Sequence, residues 1–377
     1  MVKKIKKHGA KPMPNSTPQS KSQPNIPNPN QQPKQQSLIQ INIDALLQNL
    51  PPVGSNSSLI EAIEKKREGN KLISIVLNAG VPLDNSIILP LFEILQKNGT
   101  AEKIDLFLHT TGGQTEVPWR IITLLREFCK EYFAIVPYIA LSAGTHIALG
   151  ADAILMSEIS TLGPVDPTRQ HALLPKDSSG NTIPVSVEDL KHCIRFIRQQ
   201  IEGDYSPSDM STIINTLFSH IEPLAIGAIE QSYMLSRLIT QKALETHLDA
   251  DKEKEKIKKI VDKIGGEYYS HSFPITRRDV EQELGLKVIR PTSDLWSAIW
   301  NLHTYYQDQF AKQAKITLPV PPVAGQQAPP EMLVNYVGFI DTVGERRILV
   351  GLTQFMQTQA GIQPVQVAKK WIAQKNN

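Results

Sequence analysis

A serine at the end of one apolar run and two glycines at the end of another define the chemistry open to this chain. Ala134-Ile-Val-Pro-Tyr-Ile-Ala-Leu-Ser142 is followed by the small residues Ala143, Gly144 and Thr145, and Leu106-Phe-Leu-His-Thr-Thr leads into Gly112 and Gly113. The first pattern places a hydroxyl at a strand-to-helix turn. The second places backbone N–H groups where no Cβ blocks an approach. Acyl transfer to serine needs both, a hydroxyl to attack a carbonyl and donors aimed at the oxyanion that develops. The first turn of a helix leaves its N–H groups unpaired, so Ala143 is one expected donor. Gly113 is the other, with Gly112 as the alternative. The local pattern also fits a plain tight turn with glycines closing a loop, and a short motif alone does not separate the two readings.

The surrounding elements must hold these residues. Apolar, β-branched runs over residues 71–78, 104–110, 133–141 and 153–157 read as strands. Helical spacing over 86–99, 117–132 and from Ser142 to Gly150 separates them. Strands alternating with crossover helices predict an α/β fold with a mostly parallel sheet. Residues 39–49 and 58–68 read as helices before the first strand. After Pro167 the chain turns mainly helical, over 187–200, 207–219 and 223–248. The charged stretch 249–263 reads as an exposed helix end or a linker plus helix. A further helix starts at Thr276 as N-cap, and residues 294–315 form a long aromatic-rich one. Residues 317–330 read as a Pro-rich linker. Residues 331–377 read as a small appendage, its hairpin formed by 334–340 and 346–351 across Gly344.

The 377 residues, 41% of them hydrophobic, suffice for one large core or a core with a satellite. The net charge of +3 is misleading. Residues 1–36 hold seven lysines and no acid, leaving 33 basic against 37 acidic residues elsewhere. With seven of the 27 prolines and many Asn and Gln, residues 1–37 predict a disordered tail. Lys3-Lys4-Ile-Lys-Lys7 reads as a solubilising arm in preference to a nucleic-acid or membrane contact, since no aromatic residue interleaves with the lysines. The only cysteines, Cys129 and Cys193, both fall in predicted helices and imply no disulfide framework, which suits a reducing cytoplasm. No apolar stretch reads as a membrane span or signal peptide. No histidine or cysteine cluster has metal-ligand spacing, and no cofactor is implied.

Several blocks occur in a fixed order: His109-Thr-Thr-Gly-Gly113, Ala140-Leu-Ser-Ala-Gly-Thr145, Gly150-Ala-Asp152 and Ser160-Thr-Leu-Gly-Pro-Val-Asp-Pro167. Pro223-Leu-Ala-Ile-Gly227, Ser270-His271 through Pro274-Ile275, and Leu284-Gly-Leu286 follow. Together they resemble the Clp-fold serine peptidases, most closely the serine dehydrogenase proteinases, over about residues 70–290. The resemblance implies stacked ββα units of the Clp and crotonase type with helical C-terminal additions, covering residues 38–316. It also implies peptide-bond cleavage through a Ser142 acyl-enzyme, protein or peptide substrates, and assembly into a homo-oligomer. Two departures stand out: Glu222 where the family pattern leads to an expected histidine, and Thr168-Arg169-Gln170 after Asp-Pro.

Relatives of the signal peptide peptidase A and stomatin-operon type use a Ser-Lys dyad, with the lysine some forty to fifty residues after the serine. Lys191 fits that spacing beside the apolar stripe Val187, Leu190, Ile194 and Ile197, although an ordinary surface lysine fits equally. Lys176 lies in a polar loop and is the poorer choice. Clp peptidases proper use a Ser-His-Asp triad, for which His171, with Asp166 nearby, is the alternative base. His146 lies one helical turn from Ser142. His271 reads as part of a loop packing beside the site, and His109 as a satisfied core histidine. Two rival functions remain: a crotonase-like acyl-coenzyme A enzyme, and a non-catalytic scaffold or adaptor.

Overall fold

A computed structural model describes residues 53–169, 173, 174, 176, 177, 182, 183, 185–200, 211–213, 215, 216, 219, 222–317, 331–358 and 361–376. The expected tail, the helix over 39–49, most of that over 207–219, and the linker at 318–330 lie outside them, as does His171.

The described strands are β1 (Lys71–Leu77), β2 (Ala101–His109), β3 (Cys129–Val136), β4 (Ile139–Ala140), β5 (Ala153–Met156), β6 (Thr161–Leu162), β7 (Thr168–Arg169), β8 (Val185–Ser186), β9 (Ile275–Thr276), β10 (Val288–Ile289), β11 (Gln313–Thr317), β12 (Glu331–Asp341), β13 (Glu345–Thr358) and β14 (Gly361–Lys375). The helices are α1 (Ser57–Lys66), α2 (Ile88–Asn98), α3 (Val117–Phe128), α4 (Ala143–Leu149), α5 (Val187–Gln200), α6 (Pro223–Leu244), α7 (Lys254–Asp262), α8 (Arg277–Gln282) and α9 (Ser293–Phe310).

A nine-stranded sheet forms the centre, in the order β10-β5-β3-β2-β1-β12-β13-β14. The first five strands are mutually parallel, as the strand–helix alternation predicts. The remainder are antiparallel. Alternate residues of β1 face opposite sides. Ile73, Ile75 and Leu77 enter the main core with α2 and α3 residues such as Leu91, Ile94 and Ile121. Ser74 faces the other way and meets the Tyr306 hydroxyl of α9 at 2.7 Å. No helix among the described residues is long and apolar enough to cross a membrane.

Three segments differ from the sequence reading. The helix expected over 294–315 ends at Phe310, and Gln313–Thr317 is strand β11 because it pairs with β12. Helix α3 stops at Phe128, and Cys129 is already extended (φ −147°, ψ 155°), because residues 129–135 pair with β2. The segment read as a small appendage is part of the central sheet: β12 pairs with β1 through Ser74↔Asp341 to Leu77↔Gly338. β11 takes the same edge of β12 further along. The expected hairpin is present, lengthened and joined by β14. Its junction with β1 is polar. Arg346 and Asp341 are fully buried and ion-paired at 3.1 Å. Asp341 also accepts from Asn56 at 2.9 Å and from the Tyr306 hydroxyl at 3.1 Å.

Candidate active site

Ser142 sits at the N-cap of α4 with φ 50° and ψ −110°, a left-handed conformation uncommon for a residue with a side chain. Such strain persists only where the surroundings impose it. Strand β4 imposes it from one side. The Thr110 N–H donates to Ile139 at 3.3 Å, and the Leu141 N–H donates to Thr110 at 3.0 Å. Helix α4 holds the other side through Gly144 N–H to the Leu141 carbonyl at 2.8 Å. The serine itself remains partly exposed while residues 143–150 are buried.

The glycine turn lies directly against it. Gly112 has φ 108°, and a Cβ there would stand 2.8 Å from Ser142 Cβ and 3.0 Å from the Leu141 carbonyl oxygen. Gly113 forms a parallel bridge with Leu83. The Leu83 N–H donates to Gly112 and the Gln114 N–H to Leu83, each at 2.8 Å. In a parallel bridge those flanking bonds leave the central residue's own N–H pointing away. Neither the Gly113 N–H nor the Ala143 N–H has a partner among the described residues. The Gly112 N–H does, donating to Thr110 Oγ1 at 3.1 Å. Gly113 and Ala143 therefore offer the open donors, and Gly112 serves by its shape.

A second, three-stranded sheet brings further groups to the same end. β4 and β6 run parallel, with Ala140 opposite Leu162, and β9 runs antiparallel to β6, with Leu162 opposite Ile275. Ser142 follows Ala140 by two residues, Asp166 follows Leu162 by four, and His271 precedes Ile275 by four. The register thus sets all three past the same end of these strands. Buried Thr145 ties the strand ends together: its Oγ1 accepts from the Gly163 N–H at 3.0 Å and lies 2.9 Å from the Ala140 carbonyl.

His271 Nδ1 lies 3.1 Å from Asp166 Oδ1, and the carboxylate is largely buried whereas the imidazole is not. The hydrogen bond to Asp166 raises the His271 pKa above the ordinary 6.5, against the opposing effect of burial. With Nδ1 engaged, Nε2 is the nitrogen left to exchange a proton. The sequence reading gave His271 a packing role and set Asp166 beside His171. The family-like block from Ser270-His271 to Pro274-Ile275 was the available signal.

Lys191 has different surroundings. Its Nζ donates to Glu188 at 2.9 Å, lies 4.1 Å from the Tyr233 ring centre and is 45% exposed. Burial acts to lower its pKa, but Tyr233 and Glu188 outweigh it and leave the value raised. A dyad base must instead be neutral and desolvated. Lys176 is exposed. His146 is buried against α6, with Nε2 3.2 Å from the Ser236 carbonyl, and burial lowers its pKa to about 4. His109 is buried, but not satisfied as expected: its Nδ1 has no hydrogen-bond partner among the described residues. It stacks on Tyr138 and meets His303 edge-on, with ring centres 5.1 Å apart. Among the described residues no group of three or more His, Cys, Asp or Glu is arranged to hold a metal ion.

Residues 54–179 match the family described as ClpP-like SDH-type serine proteinase. The match covers about a third of the chain. The match includes Gly112, Gly113, Ser142 and Asp166, and His271 lies beyond it. Two uncharacterized proteins of Methanocaldococcus jannaschii are similar to the chain. One is 38% identical over 115 residues, covering 30% of this chain and 38% of the relative. The other is 27% identical over 147 residues, covering 34% and 50%. The chain thus spans half or less of these relatives. Among solved structures, a serine-to-alanine mutant of the 1510-N membrane-bound stomatin-specific protease is 14% identical, at 64% coverage of this chain, 83% of that chain and a TM-score of 0.30. A lysine-to-alanine mutant of the same protease, in complex with a substrate peptide, is 15% identical, at 68% and 84% coverage and a TM-score of 0.31.

Proposed function

We propose that the protein is a serine peptidase in which Ser142 is the nucleophile, His271 the general base and Asp166 the residue that orients it. The match of residues 54–179 to a serine proteinase family supports the reaction class. The observation that carries the assignment of the base is the His271–Asp166 hydrogen bond, whose partners adjoin β9 and β6 at the end where Ser142 follows β4. Ser142 Oγ attacks the scissile carbonyl and passes its proton to His271 Nε2. The oxyanion takes hydrogen bonds from the Gly113 and Ala143 N–H groups. As the tetrahedral intermediate collapses, the imidazolium returns the proton to the leaving amine, and the acyl group stays on Ser142. Water, deprotonated by His271, then releases it. The sequence-derived bases, Lys191 and His171, are the competing assignments. Protein or peptide chains are the proposed substrates, and a homo-oligomer the proposed assembly.

Fluorophosphonate labelling and peptide hydrolysis test this reading. Ser142→Ala and His271→Ala are each expected to abolish labelling and to lower kcat by about 10⁴-fold or more. Lys191→Ala and His171→Ala are expected to label like the wild type. Loss of labelling in Lys191→Ala with retention in His271→Ala would transfer the base to the lysine. Absence of labelling in folded wild-type protein would favour the scaffold.

A further inference from the structure

The loop that carries His271 is braced by a helix remote from it in sequence. Residues 263–267 form a π-helical turn, a single-turn irregularity that recurs at functional sites. Within it Gly266 faces the Glu188 carboxylate so closely that a Cβ would stand 2.6 Å from Cδ and 2.7 and 2.9 Å from the two oxygens. Glu188 is fixed in the first turn of α5. Ser186 and Asp189 cap that turn reciprocally: Asp189 Oδ2 accepts from the Ser186 N–H at 2.8 Å, and Ser186 Oγ accepts from the Asp189 N–H at 3.0 Å. Glu188 also accepts from Lys191 at 2.9 Å, and its side chain is 13% exposed. A second contact joins the same two elements, His192 of α5 against Tyr269, with ring centres 5.5 Å apart. Tyr269 has φ 58°, so the loop is held in a left-handed conformation two residues before His271.

These contacts line an open cavity of about 90 Å³, which His271 and Asp166 also line. Its other titratable lining groups among the described residues are Glu188, Asp189, His192, Tyr268 and Tyr269. The Asp166 side is fixed independently, through the Val165 N–H donating to Ile264 at 3.1 Å. The π turn therefore meets both halves of the His–Asp pair. One end anchors the strand leading to Asp166, and the other starts the loop leading to His271.

We propose that Glu188, through its contact with Gly266, is a positioning residue for His271. The inference rests on the assignment of His271 as base. Loss of the contact lets the loop from 266 to 271 shift and lengthens the His271–Asp166 bond. Glu188 touches no substrate in this scheme. Its removal should lower kcat and leave KM unchanged.

The test compares Glu188→Ala, Glu188→Gln and Gly266→Ala in peptide hydrolysis by the full-length chain. Gly266→Ala displaces only the tip of a flexible side chain, so the fold should persist, as circular dichroism and thermal unfolding would check. Glu188→Ala and Gly266→Ala should each lower kcat by about ten- to a hundredfold, the cost of displacing a reacting group by roughly an ångström. The double variant should be no worse than the poorer single one. Glu188→Gln, which keeps the shape, should retain most of the rate. Because the Asp166 bond raises the His271 pKa, the acidic limb of kcat/KM should move to lower pH in both damaged variants. An unchanged limb with unchanged kcat would overturn the positioning role while His271→Ala remains inactive. Full activity in His271→Ala would remove the assignment beneath it.

Discussion

Gly112 and Ser142 are packed so that a methyl group on the glycine would lie 2.8 Å from the serine Cβ. The contact is as strict as the glycine's positive φ, and the two requirements coincide at one residue. The glycine turn and the turn at Ser142 therefore pack directly against each other, and a shift in one disturbs the other.

Gly112→Ala should consequently lower fluorophosphonate labelling by about a hundredfold, since small displacements of a nucleophile carry penalties of that order. The substitution leaves the Gly113 bridge to Leu83 in place, so a cooperative thermal transition should survive. Gly113→Ala should behave differently. Its Cβ would overlap backbone atoms of Leu83, which cannot swing aside, and loss of soluble folded protein is the expected result.

The acidic limb of kcat/KM should lie above the ordinary histidine value of 6.5, because Asp166 favours the protonated imidazole of His271. Activity should rise with pH as that proton leaves. Asp166→Asn should move the limb to lower pH and reduce kcat by about 10⁴-fold, as loss of the orienting carboxylate does elsewhere. A limb unmoved in Asp166→Asn would separate the carboxylate from the ionising group.

Stability should fall on acidification across a defined window. Burial lowers the His109 and His146 pKa values to about 4 from 6.5, with His303 also depressing His109. Between those values the unfolded chain binds protons that the folded one refuses. Stability is therefore full above pH 6.5 and is lost as pH falls toward 4, by up to about 3 kcal/mol for each histidine. His109→Phe, which removes a ring with an unpartnered Nδ1, should flatten part of that slope in urea titrations at pH 7 and pH 5.

Arg346→Met should destabilise the fold by about 3–5 kcal/mol, because it leaves the Asp341 carboxylate buried without its cation. Urea unfolding should show a lower midpoint with an unchanged m-value. Replacing both members with apolar residues should recover part of the loss.

Local patterns revealed the parallel half of the fold. The β-branched runs of β1, β2, β3 and β5 and the turns at Gly112 and Ser142 are written in neighbouring residues, where period and composition suffice. The end of α3 was less legible, since the apolar spacing runs on through Cys129 while strand pairing takes over. The partnership of β12 with β1 and that of His271 with Asp166 depend on registers between residues more than a hundred positions apart. No local period encodes such a register. Lys191 satisfied a spacing, but spacing says nothing of Glu188 and Tyr233, which set its charge.

The Asn56 backbone N–H donates to the Asn376 side chain at 3.1 Å, across 320 positions of sequence, close to where β1 gains its neighbour β12. During synthesis, β1 and β2 leave the ribosome long before residues 338–341 exist to cover the open edge of β1. Closing so distant a contact is slow. An incomplete chain presents that edge to other chains, a hazard for unpaired strands. The buried Arg346–Asp341 pair likewise depends on the pairing of β12 with β13. The exposed edge of β1 is thus covered only by strand residues that follow it by more than 260 positions.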